Sequence, residues 1–138
     1  MKTINLFLFL LFFCLINETS AKNNMTIHDF SLKDIDGKLV NLQNFKGKPI
    51  LMVNTASRCG FTPQYEDLQN LFLEYINTDL TIIATTSNSF NQEYDTAEKI
   101  KKICLVNYEI GFITSAPLKV KGTDAHDIYL WLNMEYNK

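Results

Sequence analysis

The run Ile50-Leu51-Met52-Val53-Asn54, continued into Thr55-Ala56-Ser57-Arg58-Cys59-Gly60-Phe61-Thr62-Pro63, constrains this chain more than any other feature. A short apolar run bounded by turn residues is the pattern of a strand buried on both faces. Thr62 is expected to cap a helix that starts at Pro63, because a hydroxyl accepts an orphan backbone N–H and proline already holds the helical φ. Tyr65, Leu68, Leu71, Phe72 and Tyr75 then recur at helical spacing and define one apolar face. Leu80-Thr81-Ile82-Ile83-Ala84 reads as a second buried strand. Two strands joined through a helix imply a sheet with a largely parallel centre.

The flanks extend this core. Phe30 to Leu42 has the pattern of a hairpin turning at Asp36-Gly37, where glycine supplies a positive φ without a Cβ clash. A basic loop, Asn44 to Pro49, leads into the first core strand. Thr85 to Asp95 reads as a polar loop, and Thr96 as the cap of a helix through Ile100, Ile103 and Cys104, with Glu98 and Lys102 as a supporting i,i+4 pair. Leu118 to Lys121 alternates like a strand and stops at Gly122. A last helix, from about Asp124 to Met134, is expected to bury Ile128, Trp131 and Leu132.

The N-terminus is a different material. Lys2, the apolar block Leu6 to Ile16 and the polar exit ending at Ala21 have the form of a secretory signal peptide. The block is shorter than the roughly 18–20 residues of a spanning helix. Residues 1–21 are therefore expected to be cleaved, leaving 22–138 as one exported domain, secreted or periplasmic, with an uncleaved anchor as the alternative. Cleavage removes Cys14 and leaves Cys59 and Cys104, which an oxidising compartment can join. The formal net charge of −2, with lysines spread along the chain, gives no basis for nucleic-acid binding. His28 and His126 lack a second ligand at metal-site spacing, and no pattern implies a metal or an organic cofactor.

Cys59 is the candidate reactive group because of where it stands. It falls between a buried strand and a helix start, where unpaired N–H groups favour the thiolate, and Arg58 beside it adds positive charge that lowers a thiol pKa. A thiolate attacks an O–O bond and becomes a sulfenic acid. A strand, a turn bearing a reactive cysteine and a helix form the thioredoxin-like arrangement. The expected fold class is thus α/β and thioredoxin-like, a central mixed sheet flanked by helices with an N-terminal β-hairpin. Thr62 stands where a Cys-x-x-Cys pair would place its second cysteine, which argues against a general disulfide reductase.

Local sequence goes further. Asp34-Ile35-Asp36-Gly37, Lys46-Gly47-Lys48-Pro49 and the long stretch Val53 to Tyr65 together resemble the glutathione peroxidase family. The likeness continues through Ser87 to Glu93 and Asn107-Tyr108, and on to Lys121-Gly122-Thr123-Asp124-Ala125-His126. The resemblance implies a thiol peroxidase, active in oxidative stress, that reduces hydrogen peroxide or organic hydroperoxides. It implies Cys59 as the peroxidatic residue and Gln92 as an amide donor beside it. Ile100 to Tyr108 resembles the region of the family's resolving cysteine, so Cys104 takes that role, with a thioredoxin-like or glutathione-like reductant restoring the thiols.

The chain departs from the family near the chemistry. The family's Trp and Asn come from a Trp-Asn-Phe segment beyond the last helix, and this chain ends at Lys138 before one; Trp131 matches a different, structural position. Thr85-Thr86 replace a Phe-Pro pair, a glycine before Gln92-Glu93 is missing, Tyr94-Asp95 replace Pro-Gly, and Phe112-Ile113 replace Phe-Pro. These changes leave a second reading open: an exported module of impaired activity that senses peroxide or binds a partner. In that reading Cys59 and Cys104 form a structural disulfide, closing a loop that would stabilise the fold by roughly 4 kcal/mol on chain-entropy grounds.

Overall fold

The computed structural model describes residues 25–137, so the expected signal segment and Cys14 lie outside the described residues. The hairpin forms as expected: β1 (Ser31–Lys33) and β2 (Leu39–Asn41) pair antiparallel, with Leu32 opposite Val40. Gly37 has φ +82°, and the Asp34 side chain accepts the N–H groups of Asp36 at 3.0 Å and Lys38 at 2.8 Å. Sequence chemistry therefore sets this turn locally.

The core sheet is β3 (Ile50–Thr55), β4 (Thr81–Thr86) and β5 (Ile113–Thr114), in that order and parallel throughout. The hairpin joins it through an antiparallel bridge between Asp34 and Ser115, where the Ile35 N–H donates to the Thr114 carbonyl at 2.8 Å. The sheet is mixed in that sense. β4 lies between its two neighbours and its residues 82–86 are all buried, whereas β3 is at an edge and only half-buried. The expectation that both apolar runs are buried on both faces thus holds for β4 alone. A strand with one neighbour lacks the second flank that covers its side chains.

Strand periodicity divides the interior into two layers. Ile82 and Ala84 point to one face and meet Tyr65, Ile100, Cys104, Ile110 and Phe112; Ile83 points to the other and meets Leu32, Leu42 and Ile128. The first layer is covered by α1 (Gln64–Glu74) and by α2 (Ala97–Lys101), which runs on as a π-helix over Lys102–Asn107. The second is covered by the hairpin and α3 (Asp127–Tyr136). Thr96 caps α2 as expected, its hydroxyl accepting the Lys99 N–H at 3.4 Å.

Several sequence expectations are corrected. Leu118 to Lys121 is not a strand; the short third strand is Ile113–Thr114. Leu118 donates to the Thr86 carbonyl at 3.0 Å, but His126 takes the Lys119 carbonyl, so no ladder continues. Thr85 and Thr86 belong to β4 rather than to a loop. Their polarity is absorbed: Thr85 hydrogen-bonds the Val53 carbonyl and the Tyr129 hydroxyl, and Thr86 bonds Ser115 twice. In α3 only Ile128 is buried, while Trp131 is partly covered against Phe30 and Leu132 is exposed. Tyr75, just past the end of α1, is exposed as well.

Candidate active site

β3 ends at Thr55 and α1 starts at Gln64, and the turn between them carries Cys59. Thr62 makes that turn rigid. Its hydroxyl oxygen accepts the Cys59 N–H at 3.0 Å and shares its single proton between the carbonyls of Cys59 (2.7 Å) and Ala56 (3.0 Å). Thr62 therefore does not cap α1, whose cap position is Pro63. The N–H groups of Gln64, Tyr65 and Glu66 donate to the carbonyls of Phe61, Thr62 and Pro63, so the first donors of the helix are spent within the turn. The group that reaches the sulfur is instead the Phe61 N–H, 3.4 Å from Cys59 Sγ. A backbone donor aimed at sulfur steadies negative charge there.

Cys59 is half-buried and lines a cavity of about 210 Å³. Apolar side chains of Val53, Tyr65 and Leu68 and the exposed rings of Phe61 and Phe90 form much of its wall, and Gln92 stands at its polar edge. Cys59 and Gln92, distant in sequence, are thus brought to one cavity. The loop that carries Gln92 follows β4 and is tied by its own side chains. Asn91 takes φ +58°, and its N–H donates to the Asn88 carbonyl at 2.9 Å. Asparagine tolerates the left-handed region that a glycine would enter freely, so the missing glycine is met by a residue of compatible backbone.

Arg58 is exposed, and its guanidinium lies 5.5 Å from the centre of the Tyr94 ring rather than being paired with an acid. Its main chain does the joining: the Arg58 N–H donates to the Gln92 carbonyl at 2.8 Å. Cys104 does not line the cavity, although its thiol lies close to Tyr65 and Ser57. It sits on the π-helix, wholly buried in the first core layer, and both it and Cys59 are free thiols. Burial pushes its thiol pKa up, and the nearby Glu93 carboxyl pushes the same way while Tyr65 and Ser57 oppose. Burial likewise raises the Tyr65 hydroxyl above its ordinary range.

Sequence reasoning passed over two residues here. Glu93, only 1% exposed, accepts the Ser57 N–H at 3.1 Å and the Tyr94 N–H at 2.8 Å. Desolvation pushes its carboxyl above the usual carboxylate range, against those two bonds. In the sequence it is an acid in a polar loop, and no local signal marks it as buried. Tyr65 has the pattern of a core residue only, yet it also lines the cavity, with its hydroxyl buried near Cys104 and Thr55.

Residues 27–133 match a family model described as "Glutathione peroxidase". A glutathione peroxidase of Lactococcus lactis subsp. cremoris is 38% identical over 112 residues, covering 80% of this chain and 71% of that protein. The hydroperoxy fatty acid reductase gpx1 of Synechocystis sp. is 39% identical over 114 residues, covering 82% of this chain and 68% of that protein. Among solved structures, Trgpx in its apo form superposes with a TM-score of 0.62 at 30% identity over 81% of this chain and 66% of its own. The likeness to that structure agrees with the thioredoxin-like fold expected from the strand, turn and helix around Cys59.

Proposed function

Because the chain belongs to the glutathione peroxidase family, we propose that it reduces hydroperoxides through Cys59. The Cys59 thiolate attacks the distal peroxide oxygen, the O–O bond breaks, and the sulfur becomes a sulfenic acid while the leaving alkoxide or hydroxide takes a proton and departs as alcohol or water. The Gln92 amide donates to the oxygen on which charge develops, and the Phe61 N–H steadies the sulfur. The observation that carries this reading is the meeting of Cys59 and Gln92 at one open cavity.

Cys104 then attacks the Cys59 sulfur, a disulfide forms, water leaves, and an external dithiol of the thioredoxin or glutathione type reduces the bond. Cys104 is fully buried, so this step requires the Lys102–Asn107 segment to open. A π-helical segment, rare and often functional, is a fitting place for such opening. The exposed Phe61 and Phe90 rings favour a hydroperoxide with an apolar tail beside hydrogen peroxide itself. The relative named a hydroperoxy fatty acid reductase supports the same class.

The test is direct. Reduced protein is mixed with hydrogen peroxide or a fatty-acid hydroperoxide, and the sulfenic acid is captured with a dione reagent. Capture at Cys59, faster than for free cysteine and abolished in Cys59→Ser, is expected. In the second reading a Cys59–Cys104 bond is structural; both thiols are free in this structure and Cys104 is wholly buried, so that bond needs the same opening. A disulfide that forms without peroxide turnover and resists dithiols would select it.

A further inference from the structure

We infer that Glu93 is a positioning residue for this site: its buried carboxylate clamps the turn bearing Cys59 to the loop bearing Gln92. The inference rests on the peroxidase reading of Cys59. Two hydrogen bonds lie side by side between the segments. The Ser57 N–H donates to Glu93 Oε2 at 3.1 Å, and the Arg58 N–H donates to the Gln92 carbonyl at 2.8 Å. Residues 57–58 immediately precede the peroxidatic cysteine, and residues 92–93 include the amide donor. Moving either segment changes the distance between sulfur and amide.

The carboxyl is suited to this task only when ionised. Both of its oxygens accept backbone N–H groups, Oε2 from Ser57 and Oε1 from Tyr94. A protonated carboxyl would turn its O–H toward one of these donors and lose that bond. No lysine or arginine forms a salt bridge with it among the described residues, and the Arg58 guanidinium is turned to the face of Tyr94. The groups facing it are the Cys104 thiol of the π-helix and the Tyr65 hydroxyl of α1, neither positively charged, and the Ser57 hydroxyl. Backbone N–H dipoles hold the charge, with the Ser57 hydroxyl beside them. Desolvation opposes them and raises the carboxyl above the usual carboxylate range.

A buried acid held in this way ties the geometry of the site to pH. Protonation releases the Ser57 N–H or the Tyr94 N–H, and release of the first lets the Cys59 turn drift from Gln92. Misplacement of reacting groups by about 1 Å costs on the order of 100-fold in rate.

The experiment follows the rate of Cys59 sulfenic acid formation with hydrogen peroxide from about pH 5 to pH 8, in the wild type and in Glu93→Gln. The wild type is expected to lose rate on a carboxyl limb lying above the ordinary carboxylate range. Glu93→Gln is expected to lack that limb and to react about 10- to 100-fold more slowly at neutral pH, because its amide opposes one N–H with another. A variant that keeps both the rate and the limb overturns the inference. The Ser57 amide proton of the wild type supplies a measurement independent of activity and of any variant's folding. Its NMR shift is expected to titrate with the same midpoint as the rate, and an amide that stays still overturns the clamp. A wild type no faster than free cysteine sinks the peroxidase reading instead, and the Ser57 titration still decides whether the clamp exists.

Discussion

The Thr62 hydroxyl grips the main chain of Cys59 from both sides, accepting its N–H at 3.0 Å and donating to its carbonyl at 2.7 Å. The same oxygen reaches back to the Ala56 carbonyl, so one side chain spans the whole turn. In a Cys-x-x-Cys protein a second thiol would occupy this position. Here a hydroxyl does so, and under the proposed function a redox partner for Cys59 would have to come from another element. The substitution changes the site from a local dithiol into a single thiol on a preformed corner.

Thr62→Val keeps the shape of that side chain and removes its hydrogen bonds. It leaves the Cys59 N–H without an acceptor, which costs about 1–3 kcal/mol for a desolvated donor. Urea denaturation should show the loss as a lower midpoint with an unchanged slope. The peroxide reaction of the folded variant should slow by about tenfold as the sulfur loses its fixed position.

Gln92 is exposed at the cavity edge, and its side chain is no part of the core. Gln92→Ala should therefore leave thermal stability within about 0.5 kcal/mol of the wild type. Sulfenic acid formation at Cys59 should fall roughly 100-fold, as when a transition-state donor is removed. Stopped-flow oxidation beside a melting curve separates the two effects. A rate loss below about twofold would remove Gln92 from the chemistry.

Cys104 is wholly buried and Cys59 is not. In the native, reduced protein a maleimide should label Cys59 first, with Cys104 modified only through local opening of its segment. Mass spectrometry of the early product reads this directly. Cys104→Ser should leave the first oxidation of Cys59 within about twofold of the wild type, while sustained turnover with a dithiol falls at least about tenfold. Equal labelling of both thiols at early times would contradict the structure.

The raised Glu93 carboxyl links stability to pH. A carboxyl that binds its proton more tightly when folded contributes stability at pH values below its unfolded pKa. That contribution fades as pH rises through the folded pKa, because the ionised form is then buried. The difference in unfolding free energy between wild type and Glu93→Gln should therefore shift against the wild type as pH rises across this window. Asp29 and Asp124, held low by Thr26 and Lys119, pull the other way in both proteins and cancel in the comparison. A difference that does not vary with pH would show that Glu93 titrates as it does in the unfolded chain.

Gly111 packs where a side chain has no room. A Cβ placed there would lie 2.7 Å from Phe72 Cε1, and the Gly111 N–H donates to Gln69 Oε1 at 2.9 Å. Phe72 is itself set against Phe112, with ring centres 6.0 Å apart. Gly111→Ala should cost about 1–3 kcal/mol by overpacking, read as a lower melting temperature with little change in the reactivity of Cys59.

The elements legible in advance were those whose signal is local. The hairpin turn needs only Asp34, Asp36 and Gly37, which lie within four residues and carry their own hydrogen bonds. The cap at Thr96 is equally self-contained. Errors arose where a local pattern competed with a neighbour far along the chain. Alternation at Leu118 to Lys121 suggested a strand, but no adjacent strand offers it a ladder. Thr85 and Thr86 looked like loop residues because the buried hydroxyls and carbonyls that satisfy them come from Val53, Ser115 and Tyr129.

By itself, the sequence determined the strand, turn and helix around Cys59 and the identity of the thiol that stands there, because periodicity and turn chemistry act over a few residues. Only the tertiary structure decided what surrounds that sulfur. It set Gln92 at the same cavity, sank Cys104 into the core, and turned Glu93 from a loop acid into a buried clamp. Those outcomes depend on how β4 and its following loop settle against the Cys59 turn. Hydrogen bonds across more than thirty residues, such as Ser57 to Glu93, arise only when the sheet has brought both ends together.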